Sequence, residues 1–530
     1  MRFLRSTQRL LYPIKLNNEC LCERTMSVQT ATKVEGEATS QDDKVDIEWN
    51  NAKPYEDIPG PGKWQFPLSF LPGGRYSGFG LIDIHYQMRK DYGDIFKTYG
   101  LLGRQDVVFT YNVEDIIKVY RNEGVWPQRI GLETFEYYRK KIRPDVFQGL
   151  GGLVTEQGQN WADVRYKVNP ILMKIQTVRH HLPAIDVISK EFINRIAKIR
   201  NPETLEMPAN FSDEIRKWAF ESICAIALDK KLDLLTSDNP DPNVLKLVRA
   251  MNTFFQLSYE FDVQPSIWKY YETPKFKKLM STYDEITNIT TSYINEAKEK
   301  FEDESRTREA KSVLEQLFRV DKRIAIVMAI DMLMAGIDTT SSAFTFLLYN
   351  LAKNPEKQNR LRKEIMKILP DRNSPLTQEN TKNMPYLRAC LKESLRVYAI
   401  TPGNFRGLQT DLVLSGYRVP KNTGVIMGVM ILSNEDKYFP KSLEYMPERW
   451  LKHGEDACPA AKTNNPFVYL PFGFGPRTCI GKRIAEMEIE TVIANIVRNY
   501  HVTWHYPEIK YVSNLINTPV GEMKFKFEDL

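Results

Sequence analysis

From about residue 160 to 400, apolar positions recur at three- and four-residue spacing between helix-forming polar faces, as in Val187 to Ile199 and Tyr283 to Phe301. Helices therefore dominate the expected fold. Short alternating stretches bounded by Gly, Pro and Asn predict β structure at Val107 to Tyr111, Leu412 to Val419, Thr423 to Met430 and Thr518 to Phe527. The pattern is mainly α with a smaller β region. The segment near 322 to 352 is apolar almost all round, which marks a buried helix. Asp331 and Asp338 interrupt it, and a charge at a membrane centre costs roughly 2.5 to 3.5 kcal/mol, so it reads as a core helix.

Length and composition refine this only slightly. A chain of 530 residues with 42% hydrophobic content suggests several domains. Yet no composition shift, internal repeat or low-complexity tract divides its middle, which points to one large domain over 54–530. Residues 36–53 are polar and acidic and read as a linker, ending at the turn-forming Ile58-Pro-Gly-Pro-Gly62. Residues 1–35 begin with Arg2, Arg5, Arg9 and Lys15, with Phe3, Leu10, Leu11 and Ile14 on the opposite helical face. This basic amphipathic start resembles a mitochondrial import presequence; a frayed basic terminus is the plainer alternative.

A net charge of +6, from 73 basic and 67 acidic residues, gives no field that calls for nucleic acid. Six cysteines (Cys20, Cys22, Cys224, Cys390, Cys458, Cys479) at irregular spacing argue against a disulfide framework and for a reducing compartment.

One cysteine stands in a special setting. Phe472, Gly475, Arg477, Cys479 and Gly481 fit F-x-x-G-x-R-x-C-x-G, which chance supplies on the order of once in ten thousand sequences of this length. The predicted helix Ile480 to Val497 would aim its positive end and free N–H groups at the Cys479 sulfur. Gly475 permits a tight turn, Gly481 permits close approach to a flat ligand, and Phe472 can keep water from the sulfur. An ordinary buried cysteine between two turn glycines is the bland alternative.

This segment resembles the signature of the cytochrome P450 family. The resemblance implies the cytochrome P450 fold, a haem b with Cys479 as axial thiolate ligand of the iron, and monooxygenase chemistry. It also implies that Ala335-Gly336-Ile337-Asp338-Thr339-Thr340 is the oxygen-activating stretch. Gly336 would leave room for dioxygen, and Thr339 backed by Asp338 would relay protons from solvent. Alone, the hexapeptide fits equally well a helical Thr bonded back to the preceding turn.

By the same resemblance, Arg477, Arg406 and the pair Trp161 and Arg165 bind the haem propionates. Individually these arginines also suit surface salt bridges. Glu393 and Arg396, in E-x-x-R, would join Arg449 of Met446-Pro-Glu-Arg-Trp450 in a buried triad. An exposed i,i+3 pair of this kind contributes only about 0.2 to 0.5 kcal/mol. The chain departs from the usual R-x-x-P by reading Arg396-Val-Tyr-Ala399, which leaves the path after the triad to Thr401-Pro402-Gly403.

Arg388 and Lys392 lie i,i+4 on one stripe, and Lys482 and Arg483 open the helix after the cysteine, where the dipole disfavours positive charge. The four match positions with which mitochondrial relatives receive an acidic [2Fe-2S] ferredoxin, served by an NADPH-dependent reductase; a solvated basic face is the alternative. The match is strongest to the insect mitochondrial clade, at Phe405-Arg-Gly-Leu408, Leu432-Ser-Asn434 and Ile484-Ala-Glu-Met-Glu488. It implies a peripheral enzyme on the matrix side of the inner membrane, acting with O2 on a lipophilic xenobiotic or steroid-like substrate. Substrate is expected near Trp126 to Phe147, Phe254 to Phe261, Met334 to Thr339, Ile400 to Phe405 and Leu515 to Asn517, where a core reading competes residue by residue. Two other functions remain: a haem-thiolate hydroperoxide isomerase, which would need neither Asp338-Thr339 nor the basic face, and a non-catalytic haem or lipid carrier.

Overall fold

Lys53 joins the edge of a hairpin, its N–H donating to the Gly416 carbonyl while its own carbonyl accepts from Arg418, each at 2.9 Å. The compact unit that follows spans Asn51–Leu530. The computed structural model describes residues 47–100, 104–129, 131–237, 240–264, 266–304, 312–451 and 465–530; residues 1–35, expected as a presequence, and Cys20, Cys22 and Cys458 lie outside them.

The main helices are α1 (Leu81–Tyr92), α2 (Val113–Arg121), α3 (Gly158–Leu172), α4 (Leu182–Ile199), α5 (Phe211–Ala227), α6 (Pro242–Ser258), α7 (Pro274–Glu304), α8 (Val313–Val320), α9 (Lys322–Lys353), α10 (Pro355–Ile368), α11 (Pro385–Val397) and α12 (Lys482–Asn499). Local chemistry sets where several begin. Asn112 caps α2 through the Glu114 N–H, Asp241 caps α6 ahead of Pro242, Ser312 caps α8, and Asp321 caps α9 through the Arg323 N–H.

Helix α9 is the axis of the larger core and is packed by α5, α7, α8, α11 and α12. From Ile324 to Ala352 only Ala335, Gly336 and Thr339 are not buried. Among the described residues α9 alone has the length and apolar composition to cross a membrane, but protein covers its faces. Its buried Asp331 is ion-paired with Arg139 at 2.5 Å and also accepts the Leu153 N–H.

The strands are β1 (Ile95–Thr98), β2 (Val107–Thr110), β3 (Asn404–Gly407), β4 (Leu412–Leu414), β5 (Tyr417–Val419), β6 (Gly424–Met427), β7 (Tyr500–Thr503), β8 (Lys510–Ser513), β9 (Asn517–Val520) and β10 (Lys526–Asp529). The largest sheet runs β1-β2-β6-β3, with β2 and β6 parallel and the other pairs antiparallel. It forms a second core, and Trp450 and Tyr511 pack against both.

Three sequence-based strands need correction. Leu412 to Val419 is a hairpin, turned at Ser415 and Gly416, both at positive φ. The run from Thr423 stops at Met427, after which Val429–Ser433 is helical. Thr518 to Phe527 divides at Gly521 into β9, paired with β8, and β10, paired with β7. Alternation reports which residues suit a pleated face, but not where the chain reverses.

Candidate active site

Cys479 lies on a tight loop just ahead of α12. Its N–H donates to the Phe472 carbonyl at 2.9 Å, and the Thr478 hydroxyl donates to the Gly475 carbonyl at 2.7 Å. Gly475 has φ of 72°, and a Cβ there would fall 2.3 Å from Glu123 Oε1, so the turn requires glycine twice over. Helix α12 begins at Lys482, two residues later than its pattern suggested, because Gly481 serves as the residue before its first turn. Cys479 is an exposed residue, yet the protein packed around its sulfur desolvates the thiol and pushes it up, whereas the Gly481 and Lys482 N–H groups, Arg129 and Arg165 pull it down. A Cβ at Gly481 would sit 4.0 Å from the sulfur.

Four arginines gather around this loop. Arg165 of α3 donates to the Thr478 carbonyl at 2.8 Å, and its Nε is buried with no partner among the described residues. Arg406 of β3 pairs with Glu123 at 2.5 Å and donates to the Phe474 carbonyl at 2.9 Å. Arg477 lies over the Trp161 ring, 3.9 Å from its centroid, and donates to Pro127, Glu156 and Gln157. Most of its fork is thus taken by the 127–157 segment. Desolvation, helped by Arg129, Arg406 and Arg165, lowers the Arg477 pKa to about 9. Arg129, which the sequence reading placed only in a substrate-facing range, is the fourth; it also acts on Cys479, and burial lowers its pKa.

On α9 the open side belongs to Ala335 and Thr339, one turn apart, with the Thr339 hydroxyl donating to the Ala335 carbonyl at 2.6 Å. Gly336 also faces α5. A Cβ there would meet Ile223 of α5 at 3.0 Å, so this glycine sets the spacing of two packed helices. Asp338 is buried and pairs with the partly exposed Arg216 of α5 at 3.2 Å. Burial pushes its carboxyl up and Arg216 pulls it back.

The cytochrome P450 family pattern matches residues 59–524. The chain belongs to the cytochrome P450 family. It is 56% identical to cytochrome P450 12b1, mitochondrial, of Drosophila acanthoptera over 484 residues, 90% of each chain. It is 52% identical to probable cytochrome P450 12b2, mitochondrial, of Drosophila melanogaster over 530 residues, 98% of each chain. Identity to cytochrome P450 CYP12A2 of Musca domestica is 48% over 496 residues, 91% of this chain and 92% of that one. The protein is accordingly a P450 monooxygenase, whose family uses haem with a cysteine thiolate ligand.

The residues present suit that group. A sulfur stabilised as an anion by the Gly481 and Lys482 N–H groups fits a thiolate ligand, and the unpartnered Arg165 Nε fits an anionic ligand edge.

The P450 scaffold pair is fully buried. Glu393 accepts from Arg396 at 2.9 and 3.0 Å, from Arg449 at 3.2 Å, from the Trp450 indole at 2.9 Å and from the Met446 N–H at 3.0 Å. Arg396 reaches on to the Ser433 and Glu444 carbonyls. Past the missing proline, Asn517 holds the path, its side chain donating to the Ala399 carbonyl and its N–H to that of Ile400. Asn517 is therefore a buried structural residue, although its segment was expected to meet substrate. Phe254 and Phe261 likewise belong to the core, packed on Phe135 and Tyr283 and on Phe276.

Arg388, Lys392, Lys482 and Arg483, together with Phe472, line one hollow of about 470 Å³. Arg179 adds a fifth cation, and Glu486 and Glu490 lie among them. Burial pushes the Glu490 carboxyl up to about 7.

Proposed function

We propose that this P450 inserts one oxygen atom of O2 into a lipophilic small molecule, xenobiotic or steroid-like, using electrons from a mitochondrial [2Fe-2S] ferredoxin and its NADPH-dependent reductase. Overall similarity to the insect relatives favours a xenobiotic. The observation that carries the ferredoxin reading is the shared hollow: four cations from two helices far apart in sequence meet beside Phe472, on the loop that leads to Cys479. A convergent positive surface suits an acidic partner and speeds its encounter.

In this reading Cys479 is the iron ligand, and the bound haem supplies the oxygen chemistry. Arg165, Arg406 and Arg477, with Arg129, neutralise its propionates, while Trp161 carries Arg477 on its ring face. Phe472 shields the sulfur and Gly481 lets α12 approach. Thr339 presents a hydroxyl on the open side of α9, and Asp338, held by Arg216, restores its proton. Glu393, Arg396 and Arg449 keep the cysteine side of the core rigid.

Residues 1–35 act as an import presequence and 36–53 as a linker whose last residue, Lys53, is already hydrogen-bonded into the folded unit, and the catalytic domain over 54–530 works at the matrix face of the inner membrane. Exposed Trp64, Leu68 and Leu71, and separately Ile267, Tyr270 and Tyr271, offer amphipathic surface for peripheral membrane contact.

Reconstitution tests the donor. With ferredoxin and its reductase the protein should oxidise members of a lipophilic compound library, read by mass spectrometry, and Lys392→Glu should raise the ferredoxin KM at least tenfold. Turnover supported only by a diflavin reductase would refute the assignment.

A further inference from the structure

Glu123 is a buried acid in the middle of the arginine group, and no step above uses its charge. Its Oε2 accepts from Arg406 Nε at 2.5 Å, and its backbone carbonyl accepts from the Gln409 side chain at 2.9 Å. The Arg406 guanidinium lies over the Tyr120 ring, 5.0 Å from its centroid, so it is held from beneath as well. The other carboxylate oxygen occupies the space that a Gly475 side chain would take, 2.3 Å from the Cβ position. One carboxylate thus touches both an arginine assigned above to a propionate and the turn that presents Cys479. Burial pushes its carboxyl up, and Arg406 and Arg477 pull it down, so the charge depends on these neighbours.

We propose that Glu123 is a positioning residue for the haem: it fixes the direction of Arg406 and lowers the net positive charge that the iron and its propionates meet. This rests on the reading of Arg406 as a propionate ligand. Four guanidinium groups close together repel one another, and at low local dielectric that repulsion is weakly screened. A single carboxylate offsets part of it without a mobile ion. Its charge also opposes reduction of the iron, because the reduced haem carries one more negative charge. Removing the carboxylate therefore favours the ferrous form.

The experiment compares Glu123→Gln and Glu123→Asp in the full haem-loaded protein, reading the midpoint potential by spectroelectrochemistry and haem loss by transfer to an excess apo-globin. Glu123→Gln should move the reduction equilibrium up to about tenfold toward the ferrous form, 59 mV for a one-electron couple, and accelerate haem loss several-fold. Glu123→Asp keeps the charge but shortens the reach, so haem loss should rise while the potential stays near that of the parent. In a cycle with Arg406→Lys the two changes should be strongly non-additive. Additive effects, or a Gln variant unchanged in both potential and haem loss, would overturn the proposal. If the Gln variant does not fold, Glu123→Asp with parental haem loss overturns it equally. Arg406→Gln with parental haem loss would instead sink the propionate reading beneath it.

Discussion

The Asp338 carboxylate and the Arg216 guanidinium meet across α9 and α5 at 3.2 Å, and Arg216 reaches on to the exposed Asp213 at 3.7 Å. The acid beside Thr339 is therefore reached through a partly exposed arginine. Since Arg216 opposes the upward push of burial, removing it lets the Asp338 pKa rise further. Arg216→Gln should move the alkaline limb of the kcat profile, where the proton-donating acid ionises, to higher pH, and Arg216→Lys should largely restore it. Asp338→Asn should abolish that limb and slow turnover roughly 10²-fold. Thr339→Ala should keep haem but divert electrons to peroxide; unchanged coupling would remove Thr339 from the relay.

Glu393 accepts five hydrogen bonds from Arg396, Arg449, Trp450 and Met446. Glu393→Ala leaves two guanidinium groups buried without their counter-charge, a change that costs about 3 to 5 kcal/mol. Urea unfolding should show that loss, and the purified variant should carry little haem.

Gly336→Ala should strain the contact between α9 and α5, because the new methyl meets Ile223 at 3.0 Å. The expected loss is about 1 to 3 kcal/mol. Ile223→Ala in the same chain should recover much of it, as measured by thermal unfolding. A glycine kept for dioxygen alone would show no such rescue.

Glu490 gives the basic face a pH dependence near neutrality. Its carboxyl is pushed up to about 7 by burial, against Arg388, Arg179 and Lys392 and with help from Glu486. As pH rises through 7 the group ionises and removes one unit of positive charge from the face. Affinity for an acidic ferredoxin should then fall roughly twofold to fivefold between pH 6 and 8. Titration of Glu490→Gln should show no such step. Because the folded value lies above the usual carboxyl value of 4.5, ionisation disfavours the folded state; Glu490→Gln should gain stability above pH 7 and lose that gain near pH 4.5.

Much of the site was readable because its signals are local. Phe472 to Lys482 form one continuous loop and helix start, so eleven residues of sequence contain the turn, the sulfur and the N–H groups that act on it. Glu393 and Arg396 are one helical turn apart, and α9 announces itself by apolar residues on every face.

The chain's order of residues alone determined a mainly helical fold, a buried central helix and the cysteine motif, since backbone geometry couples neighbours at fixed spacing. Tertiary structure decided the rest: that Arg129 joins the arginine group, that Glu123 meets Arg406, that Asp338 turns to Arg216, and that Gly336 serves Ile223. These partners come from separate elements, and their meeting depends on how whole helices and strands pack, which no local period encodes.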